Sequence, residues 1–488
     1  MWTATFIGAF PPMLERYTFA ALLLVPSLLT AQVPQDAAAY DAWKATLATP
    51  QPAVRNLAPP PIARPKGGGQ TCDCWVEPDS SYVTVLNDSM WNAGGTNNMD
   101  DGGHGPIALP FSFTFFGLVG DSIYINVNGN LSLGGYLGGF SSTGFPASGF
   151  NMVAPFWADV DLAGAGVGIN SVKYKVTPTA LYVNWIHVGY FNDAVDKLNT
   201  FQVIITDGLD PAIPFGNNVS FCYKDMQWTT GDASGGTLGF GGTPASVGVN
   251  LANGVDFAQI GRFDAPGSGY DGPFLGNDQV DWLDSTHFYL NTMDPNGVPP
   301  IFASTYGCDT IVVEVGQLAL VRMLILAGGP GELVSATAQC ATLSSFQQLN
   351  NPVADNIEVL ALIDPQVQDI GIHLVSYQAQ NDDPVPLEST YKLHVRVVAG
   401  ATGVSGPDSR TFSLSPNPAG EHVDVVLPGG GPAQVDLLEL DGRLIRSVRH
   451  TGDRLRFDLN DLATGTYLVR VAIGGGTCVQ RFVHTSRL

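Results

Sequence analysis

From about residue 72 onward, apolar and polar positions alternate with a period of two, the signature of half-buried strands. Leu109-Pro110-Phe111-Ser112-Phe113-Thr114-Phe115 puts three phenylalanines on one face. Residues 123–127 alternate again, and Asn128-Gly129 is a two-residue hairpin signal ahead of Leu131 and Leu133. The series continues through 172–176, 181–188, 200–206 and 219–228, with no helical periodicity of useful length. The pattern predicts one large β domain over 71–295. At its centre lies MVAPFWADVD, residues 152–161, in which Val153, Phe156 and Trp157 run straight into two carboxylates. In a strand, Asp159 and Asp161 share one face and Val160 takes the other. Gly164, Gly166 and Gly168 then supply a turn.

Residues 300–399 read as a second β unit, with strands near 310–315, 318–326, 357–363, 370–377 and 391–398. Turn clusters at Gly328-Gly329-Pro330-Gly331 and Asn381-Asp382-Asp383-Pro384 separate them, and an immunoglobulin-like sandwich fits the size and spacing. Residues 400–410 form a small-residue linker. The tail, 411–488, reads as a small β-sandwich with hairpin turns at Asp441-Gly442 and Thr464-Gly465. Charge marks the same boundary. Residues 1–409 hold 13 Lys+Arg against 36 Asp+Glu, while 410–488 hold 9 against 8. The fold class expected is therefore all-β.

The first residues differ in kind. Arg16 precedes an apolar run, 19–29, closed by Leu29-Thr30-Ala31, which fits a signal peptide over 1–31 cleaved after Ala31. Met13 offers a more compact start. Residues 32–70 are an Ala/Pro-rich linker. A short helix fits 36–47, whereas Pro59-Pro60-Pro61 favours extended chain. An exported chain with six cysteines favours disulfides. Cys308 and Cys340 are the only two in the second β unit and are expected to pair. The pairing of Cys72, Cys74, Cys222 and Cys478 stays open, though Cys72 and Cys74 sit too close for an easy mutual bond.

A net charge of −22 argues against nucleic acid and anionic membranes as direct partners, and suits solubility or divalent cations. Catalytic constellations are weak. Gly231-Asp232-Ala233-Ser234 is similar to a serine-protease nucleophile loop, but an extra Ala interrupts it and no matching His motif precedes it. Gly267 to Gly272 fits G-x-G-x-x-G without the strand and helix that the motif needs. Glu is absent between Glu77 and Glu314, so a glycosidase pair in the first domain would be all Asp. Asp100-Asp101-Gly102-Gly103 reads as a solvated acidic loop. Asp159 and Asp161 support two readings: turn and cap hydrogen bonds, which is favoured, or a calcium site. Trp157 and Trp228 read as core.

Several stretches resemble the nidogen-like extracellular domain. They are residues 107–113, Asn128-Gly129-Asn130-Leu131-Ser132, 154–161, 199–204, 225–231 and Ser246-Val247-Gly248-Val249-Asn250. The resemblance implies a β-rich module of adhesive and matrix-associated proteins without catalytic activity. The EGF-like cysteine repeats that usually accompany it in animal matrix proteins are missing here. The tail resembles the C-terminal sorting domain of the bacterial type IX secretion system. The motifs are Leu414-Ser415-Pro416-Asn417-Pro418-Ala419, Leu440-Asp441-Gly442-Arg443, 459–462 and Gly465-Thr466-Tyr467 with the strand after it. That implies a Bacteroidetes-type bacterium, a periplasmic stage, contact with the outer-membrane secretion machinery, removal of the tail, and often attachment to lipopolysaccharide. The reading that follows is a secreted or cell-surface non-enzymatic adhesion protein that binds a matrix protein or glycan. The alternative is a secreted hydrolase or carbohydrate-binding module on a β scaffold.

Overall fold

The computed structural model describes residues 43–47, 74–85, 99–164, 170–265, 270, 272–273, 279–306, 309–400, 412–427, 431–440, 442–473 and 476–485. The expected signal peptide, and most of the linker after it, lie outside the described residues. The architecture is all-β, as the alternation predicted.

Two sheets form the first unit. A six-stranded sheet runs in the order Phe257–Arg262, Ser246–Asn250, Asn151–Trp157, Asn130–Leu133, Leu118–Asn126, Gly103–Phe115. Facing it are Val83–Val85, Ser171–Val176, Ala180–Tyr190, Ala194–Thr206 and Val219–Asp225, the first strands of a larger sheet. Side chains from both inner faces interdigitate between them. Phe113, Phe115, Ile123, Ile125, Phe156, Trp185, Phe201 and Trp228 are fully buried there. The Phe111, Phe113 and Phe115 alternation is found as expected, with Ser112 exposed between them. Asn128-Gly129 makes the hairpin turn: Gly129 sits at φ +72°, and Asn126 pairs with Asn130 across it. Trp157 and Trp228 are core. Their indole N–H groups donate to the carbonyls of Gly139 (2.8 Å) and Val188 (3.0 Å).

The larger sheet does not stop where the first unit ends. His287–Leu290 pairs with Val219–Asp225 on one side and with Ile301–Ser304 on the other. Ile301–Ser304 in turn pairs with Ala319–Leu326, and the order continues through Asn356–Ile363 to Phe346–Gln348. These last strands face a five-stranded sheet, Thr310–Glu314, Glu388–Val398, Gly371–Asn381, Val334–Gln339 and Val353–Ala354. Val321, Met323, Ile325, Val359, Val375, Leu393 and Val395 fill the space between. This is the immunoglobulin-like sandwich the spacing suggested, with one sheet continuous with its neighbour's.

The expected Cys308–Cys340 disulfide is not formed. Cys340 carries a free thiol, and Cys308 lies outside the described residues. Cys340 follows the Val334–Gln339 strand, and its Sγ lies 3.8 Å from the Thr342 hydroxyl. Among the described residues a bridge joins Cys74 to Cys222, with Cα atoms 5.8 Å apart.

The tail is a separate sandwich of three and four strands, its core built from Val423, Val425, Val435, Leu437, Val469 and Phe482. It touches the second unit through a small apolar patch in which Leu438, Leu468 and Val479 meet Leu320.

Candidate functional site

The Met152–Asp161 segment is where the chain changes sheets. Asn151–Trp157 belongs to the six-stranded sheet, while Val160–Asp161 pairs with Tyr190 and Gly189 in the other. Asp159 occupies the step between them. Its carbonyl accepts from the Phe191 amide at 3.0 Å. The side chain of Asn128, on the hairpin turn, braces the step by accepting from the Val160 amide at 3.0 Å and donating to Asp101 Oδ1 at 2.7 Å. Gly231 packs on the Asp159 carboxylate so closely that a Cβ there would lie 2.4 Å from Oδ2.

Because the chain switches sheets, the expected face shared by Asp159 and Asp161 does not exist. Asp161 accepts from the backbone amides of Ala163 (2.7 Å) and Asp193 (2.9 Å), the turn-and-cap role. Asp159 converges instead with Asp100 and Asp101, so the calcium pair is not assembled as expected. That acidic loop is not solvated either: Asp100 and Asp101 are 2% and 1% exposed. Of the glycines after Asp161, Gly166 and Gly168 lie outside the described residues.

The cation at this site belongs to the chain itself. Residues 43–47 are helical, and Lys44 is fully buried. Its Nζ donates to Asp100 Oδ1 and Oδ2 (2.8 and 2.7 Å), Asp101 Oδ2 (2.9 Å) and Asp159 Oδ1 (2.7 Å). The same nitrogen lies 4.4 Å from the Phe140 ring centre and 4.2 Å from that of Phe191. Trp43 meets Phe140 edge-on at 6.5 Å. An ammonium has three N–H donors, and three carboxylates stand around this one. Two ring faces complete the box with their quadrupoles.

One ammonium does not balance three carboxylates. Burial opposes the charge on Lys44, but Asp159, Asp101 and Asp100 together raise its pKa well above the usual value. Burial pushes the Asp159 carboxyl up to about 7, with Lys44 pulling it down and Asp101 adding to the rise. Burial also raises Asp100, helped by Asp101, and raises Asp161. Asp159 Oδ2 is buried without a hydrogen-bond partner.

This has a measurable consequence. With a folded pKa near 7 and an unfolded value near 4, Asp159 holds more proton in the folded state throughout that window. Its contribution to stability is complete below pH 4, falls as pH rises through 7 and is lost above it, by at most about 1.4 kcal/mol per pH unit. The melting temperature is therefore expected to drop between pH 5 and pH 8, and Asp159→Asn to flatten most of that drop. Parallel curves for the two proteins would show that Asp159 is not the titrating group.

The remaining candidates fall elsewhere. Ser234 shares a hydrogen bond with Ser141 (Oγ to Oγ, 2.8 Å) and lies on the loop that covers Asp159, a packing role. Four residues of the glycine-rich Gly267–Gly272 motif, 267–269 and 271, are outside the described residues. A His–Asp contact absent from the sequence reading joins His287 Nε2 to Asp309 Oδ1 at 3.1 Å. Ser304 is close by, but it bonds the Tyr391 hydroxyl (2.8 Å), so the three do not form a nucleophilic triad. They knit the two units together instead.

In the tail, Asn417 donates to the Arg481 carbonyl (3.2 Å) and accepts from the Val483 amide (3.0 Å), pinning the last strand. Pro416 and Pro418 flank it on the exposed side. Gly442 turns at φ +85°, and Arg443 pairs with Glu439. Gly465 opens the Gly465–Ile473 strand, in which Tyr467 stacks on Phe482 and donates to the Ala463 carbonyl at 2.7 Å. These positions hold the tail's turns and edges together.

Comparison with known proteins agrees with both ends of the chain. The family described as NIDO related matches residues 79–263, and the Secretion system C-terminal sorting domain matches residues 413–485. Alpha-tectorin of Gallus gallus is 32% identical over 199 residues, 36% of this chain and 9% of that protein. Alpha-tectorin of Homo sapiens is 32% identical over 203 residues, with the same shares. The chain thus spans about a tenth of the length of these relatives. Dimeric latent PorU from Porphyromonas gingivalis aligns at 16% identity over 48% of this chain and 26% of its own, with a TM-score of 0.17. The N-terminal Ig1-2 module of the Drosophila receptor protein tyrosine phosphatase DLAR aligns at 12% identity over 36% and 94%, with a TM-score of 0.25. Among the described residues no helix is long and apolar enough to cross a membrane. A sorting domain of this kind at the C-terminal end supports export to the cell surface or the extracellular space. It carries a NIDO-related domain at 79–263 and a secretion system C-terminal sorting domain at 413–485.

Proposed function

We propose that this chain is a non-enzymatic adhesion protein whose NIDO-related domain binds a matrix protein or glycan outside the cell. The observation that carries the reading is the pairing, in one chain, of that domain with an export tail. The tail 411–488 acts as a detachable address: a near-neutral sandwich touching the rest through a small patch, after a small-residue linker. Its removal follows passage through the periplasm, and attachment to lipopolysaccharide keeps the remainder on the surface.

A second surface, outside the NIDO-related domain, also suits a glycan. A cleft of about 320 Å³ on the second unit is walled by hydroxyls and amides, among them Ser335, Thr337, Gln378, Gln380 and Thr390. Glu388 is the one carboxylate on that wall, whereas glycoside hydrolysis uses two. The cleft therefore suits binding better than cleavage.

Two measurements test this reading. Surface protein recovered from cells should have an intact mass ending near 399–411, and retention of Leu488 would overturn the detachable tail. On arrays of glycans and matrix proteins, the purified chain should bind a defined class without altering it. Turnover of a bound glycan would replace adhesion with the hydrolase reading.

A further inference from the structure

We propose that the box formed by Asp100, Asp101, Asp159, Phe140 and Phe191 is a receptor for a lysine presented on a peptide segment, and that the Lys44 segment of a second copy of this chain can occupy it in place of the chain's own. The box is specific in its chemistry. Three carboxylates receive the three N–H donors of a primary ammonium at 2.7–2.9 Å, and two ring faces flank it. A guanidinium is planar and presents its donors as a fork, so arginine does not match this arrangement. Recognition extends to the neighbouring residue, since Trp43 packs edge-on against Phe140. Ala45, Thr46 and Leu47 are exposed, so among the described residues of the segment Trp43 and Lys44 face the box.

The argument for a second copy rests on chain length. Twenty-six residues, 48–73, separate Leu47 from Cys74, where the disulfide fixes the chain to the domain. Fully extended, they span up to about 90 Å. A tether of that reach places Lys44 in its own box or in that of a neighbour. A connection of this length gives the intramolecular contact an effective concentration of about millimolar at most, so self-occupancy dominates in dilute solution. Exchange becomes competitive where copies are crowded, as on a cell surface.

Complementary variants reveal the exchange. Lys44→Ala keeps the box and lacks the key, whereas Asp101→Asn with Asp159→Asn keeps the key and weakens the box. Each alone is expected to be a monomer by light scattering. Mixed at equal concentration, they should form a 1:1 complex with twice the monomer mass. As a second measurement, a labelled synthetic peptide covering residues 38–50 should bind full-length Lys44→Ala at least tenfold more tightly than wild type. The same peptide with alanine at position 44 should not bind. Absence of both the heterodimer and peptide binding, with Lys44→Ala retaining its native circular dichroism, would overturn the proposal. Equal peptide binding to wild type and Lys44→Ala would also overturn it, because the peptide would then be using another surface.

Discussion

Replacing Cys222 with serine should cost about 5 kcal/mol of unfolding free energy in the chain-entropy model, the largest single-residue effect expected in this protein. The bridge to Cys74 closes a loop with a sequence separation of 148, about two thirds of the first unit. It also anchors the segment that follows Cys74 to the sheet. The Val76 amide donates to Gln202 Oε1 (3.1 Å), and the Val76 carbonyl accepts from Gln202 Nε2 (2.9 Å) and Asn184 Nδ2 (3.3 Å). Trp75 is covered by Lys224, whose Nζ lies 4.6 Å from the ring centre. Urea unfolding of the oxidised wild type and of Cys222→Ser measures the effect, and the variant should unfold well below the wild type. A Cys222→Ser midpoint within the equivalent of about 1 kcal/mol of oxidised wild type would remove the bridge from any stabilising role.

Gly129→Ala should be nearly as damaging, at about 4 kcal/mol, for reasons of space and backbone together. Gly129 has φ +72°, which an L-residue adopts at a cost of about 1–2 kcal/mol. A Cβ at this position would lie 2.0 Å from the carbonyl oxygen of Phe156 and 3.2 Å from the Phe201 ring. Neither can retreat. The Phe156 amide is bonded to the Gly129 carbonyl at 3.2 Å, and the Phe156 ring is packed against Phe201 and Trp228. The substitution drives the hairpin away from the point where the chain changes sheets, and Asn128 moves with it. Chemical denaturation should show the midpoint falling with an unchanged slope. A loss below about 1 kcal/mol would mean that the hairpin and the Phe156 strand shift apart without strain.

Most strands were legible because alternation is a local property of the backbone. Phe111, Phe113 and Phe115, and the Asn128-Gly129 turn, need no knowledge of the rest of the chain. The site was not legible because its members lie far apart. Lys44 is 56, 57 and 115 residues from Asp100, Asp101 and Asp159. Asp100-Asp101-Gly102-Gly103 has the composition of a solvated turn, and a distant cation offsets much of the cost of its burial. Asp159 and Asp161 looked like one face because period two assumes a single sheet. The switch after Trp157 breaks that assumption, and nothing in the local pattern marks it. The cysteines failed for a similar reason: membership of one unit said nothing about which thiols meet, and Cys74 finds its partner 148 residues away. The two end domains were legible by their motifs, which are short and ordered along the chain.

The strand pairing from His287–Leu290 through Ile301–Ser304 to Ala319–Leu326 also has a mechanical meaning. Where domains are joined by a bare linker, tension straightens the linker first and the domains swing freely about it. Here the first two units share a ladder of backbone hydrogen bonds, reinforced by His287, Asp309 and Tyr391 at the joint. A load applied at one end reaches the other through the sheet itself. Bending at the boundary would require those bonds to break. The first two units are thus built as one stiff body, able to bear a pull without slackening at the joint.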